Sequence, residues 1–201
     1  MVATFVLPLY PLEGRVLFPG HDLRVQGPPD ASAAALRKAE AYGGTVIASL
    51  ADGASVHEVA VTALVSRLDE DEVNLHGVAR CKLLALVDDE TPLVRAERLA
   101  DSPAPADRAA HLAALLLARY ERLCRALGRP CPPAGKSPEL AALTWNVTAE
   151  LRFSAEQQQG FLNVPDAVTR GRLLLVAVRE LERRERFLRP WAHLRAAAAW
   201  N

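Results

Sequence analysis

Lysine is nearly missing from this sequence: only Lys38, Lys82 and Lys136 occur, and arginine supplies the rest of the 24 basic residues. Acidic residues also number 24, so no net positive charge is left for a polyanion. A general nucleic-acid binder needs a basic footprint that releases counterions, so the neutral total argues against that class, although it does not exclude a local basic patch. Cysteine is scarce. Cys81, Cys124 and Cys131 are odd in number and follow no disulfide spacing, which reads as reduced thiols. No apolar run approaches the roughly 20 residues of a membrane span. The opening "MVATFVLPLYPLEGR" has no basic start, and Pro8 and Pro11 interrupt it. These absences predict a cytoplasmic protein with no signal peptide and no membrane contact.

The chemistry-bearing motifs are missing as well. His21, His57, His76, His111 and His193 are never spaced three or four apart, and there is no CxxC pair. Cys124, Cys131 and His111 are too dispersed for a structural zinc site, so no metal and no cofactor is expected. The tripeptide Gly135-Lys136-Ser137 imitates the end of a phosphate loop. Pro130, Pro132 and Pro133 deprive it of the amides that would cradle a phosphate, and a helix rather than a strand comes before it. It reads as a linker that ends in a Ser137 cap with Pro138 in the first turn. No G-x-S-x-G elbow occurs. The three lysines fall on a helix surface, on a solvent-facing strand position and in the linker, so a Ser–Lys dyad is unsupported. The reading is a protein that is not an enzyme.

What is present is a change of period. From Phe5 to Leu99 the chain reads mostly as strands. Val59, Val61, Ala63 and Val65 alternate. The acidic turn Asp69–Glu72 leads into Val73–Val87, with Gly77 as a bulge, and a second turn leads into Leu93–Leu99. Three strands joined by short acidic turns predict an antiparallel meander whose charged ends discourage edge pairing. In "RVLFPGHDL" an apolar run that looks like the start of a strand meets Pro19-Gly20, which predicts a sharp corner. One helix interrupts this half, from an Asp30 cap to Gly43-Gly44, and a buried strand Thr45–Leu50 follows. Many short strands with one inserted helix suggest a small closed barrel.

After residue 100 the period becomes helical. Leu112, Leu116, Tyr120, Leu123 and Leu127 form one apolar face, and Leu140, Leu143, Val147 and Leu151 a second. Ser154–Gln157 is a capping box that opens a short helix ending near Asn163. Pro165 starts the last long helix, with Val168, Gly171, Leu175 and Val178 inward. Glu180–Arg184 and Glu182–Arg186 are i,i+4 pairs on its outer side. Trp145 lies more than a quarter turn from its helix's apolar face, so it either fills a gap or anchors a partner. Phe187, Trp191, Leu194 and Ala198 share a stripe that either folds back or makes a dimer contact. The fold class is therefore α+β, with a barrel subdomain (1–100) and a helical-bundle subdomain (101–201).

The corner sits in a longer pattern. "LPLYPLEGRVLFPGHDLRV" resembles the start of the N-terminal substrate-binding domain of the Lon ATP-dependent proteases, an L-P-L-x-x-x-V-x-F-P-G pattern followed by a strand. The stretch from His57 to Leu99 is similar to the family's later strands. Gly77 and Arg80 hold the family's Gly and Arg, and Ala60 stands where Gly is usual. The run from Ser137 to Leu181 is similar to the family's helices, with Arg170 or Arg172 near its usual Arg. The resemblance implies a PUA-like barrel and a stand-alone domain, because no ATPase or peptidase module accompanies it in these 201 residues. It also implies recognition of unfolded or tagged polypeptides through an apolar groove at the barrel–bundle junction, and a role as an adaptor in proteolysis or quality control. Phe18, Pro19 and Gly20 at the corner and Trp145 at the junction are its candidate contacts. A homodimer through the tail 187–201 is the expected self-contact. The alternative is RNA binding through Arg24, Arg67, Arg80 and Arg98, which rests on fold analogy alone.

Overall fold

Seven strands and five helices form a mixed α+β architecture in the computed structural model, which describes residues 4–26, 30–67, 72–88, 92–131 and 139–191. The chain divides into two compact units. The first comprises residues 1–102 and 148–165, the second 103–147 and 166–201. The strand half thus recovers a helical segment from far along the sequence, which periodicity near residue 100 does not announce.

In the first unit the strands are β1 (Thr4–Glu13), β2 (Asp22–Gln26), β3 (Thr45–Asp52), β4 (Ser55–Val56), β5 (Val59–Arg67), β6 (Glu72–Asp88) and β7 (Leu93–Arg98). β5, β6 and β7 pair antiparallel in succession, which is the meander that the alternation predicts. β7 continues antiparallel to β1, β1 pairs parallel with β3, and β3 pairs antiparallel with β5. The pairings therefore return on themselves. β2 lies along β6. Leu9, Ile47, Ala60, Cys81, Val94 and Ala96 form a core cluster drawn from β1, β3, β5, β6 and β7. Ala60 and Val61 are both fully buried, so β5 is covered on both faces rather than on one. α1 (Asp30–Ala39) runs through a 3-10 turn into Gly43 and Gly44, whose φ values of +64° and +71° suit only glycine well.

Burial decides the chemistry of Cys81. Its thiol is pushed up to about 12 by desolvation. Iodoacetamide at pH 8 is therefore expected to leave Cys81 unmodified in the native protein and to label it fully in guanidinium, as mass spectrometry would read. Labelling of Cys81 at the same rate in both states would show that this core opens freely.

α4 (Ala155–Asn163) also belongs to the first unit. Ser154 Oγ accepts from the Gln157 amide, and the Ser154 amide donates to Gln157 Oε1, so the expected capping box is complete. Buried Gln159 donates through Nε2 to the Val59 carbonyl at 2.8 Å and ties this helix to β5.

The second unit holds α2 (Ala106–Ala126), most of α3 (Leu140–Glu150) and α5 (Ala167–Leu188). The apolar faces expected for these helices are buried at Leu112, Leu116, Tyr120, Leu123, Leu140, Leu143, Val147, Val168, Leu175 and Val178. A Cβ on Gly171 would stand 3.0 Å from Leu112 and 3.2 Å from Leu140, so glycine lets the three helices approach. α5 begins two residues later than Pro165 suggests: Asp166 is the N-cap and accepts from the Thr169 amide at 2.8 Å. That hydrogen bond, more than any other influence, holds the Asp166 carboxyl below its usual range. Glu180 pairs with Arg183 at 2.8 Å and Glu182 with Arg119 at 3.1 Å, instead of the i,i+4 partners on α5. Arg119 offers Glu182 a partner on a neighbouring helix, which same-helix spacing cannot reveal. The expected Ser137 cap, Pro138 first turn, Gly135–Ser137 tripeptide and tail residues Leu194, Ala198 and Trp200 lie outside the described residues, as do the Asp30 and Arg67 side chains.

Candidate functional site

The corner that the sequence singles out is built differently from a strand start. Val16, Leu17 and Phe18 are irregular chain packed inward, with Leu17 and Phe18 each 2% exposed. Gly20 takes φ +76°, turning the chain. The corner is then fastened to the middle of β6: the Gly20 amide donates to the Gly77 carbonyl at 2.8 Å, and the Gly77 amide to the His21 carbonyl at 2.9 Å. A Cβ on Gly77 would fall 2.2 Å from the Phe18 carbonyl oxygen. The β5–β6 register shifts here too, between Thr62 and Ala63, so the expected bulge at Gly77 is present. F-P-G and the distant glycine are one device.

Beside the corner is a cleft of about 380 Å³, lined by Arg15, Phe18, His21, Leu23, Phe153 and Gln158 among others. Phe153 stacks against Phe161 with ring centroids 5.2 Å apart. Asp22 at the rim accepts from Asn74 at 3.1 Å and lies 3.0 Å from the His76 ring; Asn74 first and His76 second hold its carboxyl below the usual range. Phe18 is part of this lining although buried, Pro19 is half-buried and Gly20 is exposed. Trp145 is in the second unit and 5% exposed. The guanidinium of Arg170 lies 3.6 Å from its ring centroid, and Arg170 Nε donates to Thr144 Oγ1 at 2.9 Å. This cation–π stack, together with burial, accounts for Trp145 at its off-face position.

Arg80 is buried and bound. Its Nη1 donates to the carbonyls of Leu162 at 2.9 Å and Val164 at 2.6 Å, its Nη2 to the carbonyl of Pro165 at 3.0 Å, and it pairs with the Asp101 carboxylate. It thus caps the C-terminal end of α4, where carbonyls lack partners and cations are favoured. An RNA-reading patch cannot include it, which corrects that four-arginine set; Arg24 and Arg98 are exposed.

One feature on β6 is not singled out by the sequence reading. Beyond Lys82, where its pairing with β5 stops, β6 continues beside β7 with register shifts at Leu84 and Val87. Leu84 (46%), Leu86 (54%) and Val87 (49%) are all exposed. "KLLALV" lacks alternation, the one signal that would have marked it, but such a run reads equally well as a doubly covered strand. Among the described residues no three His, Cys, Asp or Glu side chains gather as metal ligands, and no helix is long and apolar enough to cross a membrane.

The profile of the ATP-dependent protease La (LON) substrate-binding domain matches residues 6–180. Among solved structures the chain is similar to the N-terminal domain of the Mycobacterium avium complex Lon protease, at 17% identity and a TM-score of 0.64, over 87% of this chain and 98% of that one. It is similar as well to a Lon N-terminal domain protein from Xanthomonas campestris, at 18% identity and a TM-score of 0.64, over 86% and 98%. No curated protein sequence matches it significantly.

Proposed function

This chain belongs to the family of Lon substrate-binding domains, and from that premise we propose that it is a non-catalytic module that captures unfolded or tagged polypeptides in the cytoplasm, as an adaptor in proteolysis or quality control. The observation that carries this reading is the apolar arm of β6, where Leu84, Leu86 and Val87, within four successive residues, are each about half exposed. A contiguous apolar patch on a folded surface marks a protein contact. Covering three half-exposed aliphatic side chains contributes roughly 1 kcal/mol each. That favours greasy segments without selecting a sequence, as capture of unfolded chains requires. The corner cleft is the second contact: Phe18 is part of its lining, and Pro19 and Gly20 turn the chain beside it. Trp145 serves by holding Arg170 and the second unit's helices.

The closed circuit of strand pairings supports a small PUA-like barrel for the first unit, and the three long helices support a bundle for the second. Exposed Phe187 near the end of α5 and exposed Trp191 in the 3-10 turn after it support self-association through the tail.

The test is binding of reduced, carboxymethylated lactalbumin, read by anisotropy. The protein is expected to bind it weakly, and the combined Leu84→Ser, Leu86→Ser and Val87→Thr variant to bind at least five-fold more weakly with an unchanged melting temperature. Absence of binding by the parent protein, or full binding by the variant, overturns the reading.

A further inference from the structure

The second unit carries a charged cleft that the reading above does not use. About 640 Å³ in volume, it is walled by the C-terminal parts of α2 and α5. Among the described residues Arg119, Arg122, Arg125, Arg186 and Arg189 line it, against two carboxylates, Glu182 and Glu185. In a chain whose formal charge is zero, this is a local surplus of three positive charges. Arg119 is neutralised by Glu182 at 3.1 Å. Arg122 and Arg125 bend back through Nε to the carbonyls of Ala118 and Glu121 at 3.3 and 3.4 Å, and neither has an acidic partner among the described residues. Arg186 and Arg189 are exposed.

Arginines at helix C-termini also answer the helix dipole, so that role has to be weighed first. Two helix ends amount to about one negative charge, which leaves a surplus of about two. The end carbonyls of α2 are moreover already engaged by backbone amides: Gly128 donates to Arg125 and Arg129 donates to Cys124, at 3.2 and 2.9 Å. The arginines are not needed there as caps.

We propose that this cleft binds an acidic polypeptide segment, one carrying several Asp or Glu side chains. Charge complementarity selects an anion, and guanidinium forks match carboxylates in two-point geometry. The layout selects a linear one. Arg119, Arg122 and Arg125 are spaced three residues apart along α2, a rise of about 4.5 Å per step, so they form a row rather than a single cup. Among the described residues no aromatic side chain lines the cleft, so they supply none of the stacking platform that single-stranded nucleic acid uses. The proposal shares with the reading above only the premise that the ligand is polypeptide; it concerns another unit and another chemistry.

The probe is a fluorescein-labelled (Glu-Ser)6 peptide titrated with the full chain at 50 mM salt. Binding is expected, and it is expected to weaken at least five-fold at 200 mM salt. The exposed triple variant Arg122→Glu, Arg125→Glu, Arg186→Glu is expected to lose at least ten-fold, and the milder Arg122→Gln, Arg125→Gln variant three-fold or more, with unchanged circular dichroism. The β6-arm variant is expected to bind this peptide normally. No binding by the parent chain, equal binding by both arginine variants, loss in the arm variant alone, or tighter arginine-dependent binding of an oligouridine of equal charge would each overturn the proposal. Failure of lactalbumin binding with the acidic peptide still held would sink only the first reading.

Discussion

Gly77→Ala is expected to lower the stability of the first unit by on the order of 3–5 kcal/mol, a sum of overpacking and two lost hydrogen bonds. The added methyl would stand 2.2 Å from the Phe18 carbonyl oxygen and 3.0 Å from its carbon. Both are backbone atoms, so no rotamer change relieves the clash. Either β6 or the corner must move, and both paths break the amide bonds that Gly77 exchanges with Gly20 and His21. The corner carries Leu17 and Phe18, both deeply buried, so displacement also wets the core. Thermal unfolding should fall by roughly 6–20 °C for a protein of this size. Gly20→Ala is the matched control. Its φ of +76° disfavours alanine, yet nothing lies within 4 Å of the new methyl, so the cost should be only about 1–2 kcal/mol. If Gly77→Ala melts within 1 °C of the parent protein, the corner is not held as described.

Why some of this was legible and some not follows from which forces act locally. The capping box at Ser154, the glycine stop after α1 and the faces of α2 and α5 depend on residues within one turn of each other, and they stand where the pattern puts them. The meander is legible for the same reason, since only four residues of sequence separate each of its strands from the next. Pairing between β1 and β3 is not: it is parallel and separated by a helix, and nothing in the alternation of Leu9 or Ile47 names the partner. "VLF" has strand-forming residues, but it joins no ladder: the Phe18 carbonyl accepts from the His21 amide, and the neighbouring Gly20 and His21 bond to Gly77. Tertiary context overrides propensity there. Phe18 and Trp145 show the limit for sites. An aromatic residue off the expected face can be a ligand contact or a core residue, and only the position of Arg170 over the Trp145 ring separates the two. The β6 arm shows the converse: an apolar run is read as buried until its neighbours are known to stop at Lys82.

Arg80 carries the second large effect. Arg80→Met is expected to destabilise the first unit by about 3–5 kcal/mol, the range for breaking a buried ion pair from one side. The methionine fills much of the space, so the loss is not one of volume. It arises because three carbonyls, those of Leu162, Val164 and Pro165, and the Asp101 carboxylate lose a shared donor in a site where the Arg80 side chain is only 3% exposed. Arg80→Lys keeps the charge but has one ammonium where the guanidinium spreads over two nitrogens, so it should recover only part of the loss. The diagnostic comparison is the double variant Arg80→Met, Asp101→Asn. If the stranded carboxylate is a principal penalty, the double variant should be more stable than Arg80→Met alone by about 1 kcal/mol or more, a coupling that additive structural damage would not produce. Hydrogen exchange supplies a local readout: in Arg80→Met, the amides of α4 should exchange much faster than those of α2, because the carbonyls that lose their donor lie at the end of α4. A denaturation midpoint for Arg80→Met within experimental error of the parent chain, with α4 still protected, would show that this arginine does not hold the returning segment in place.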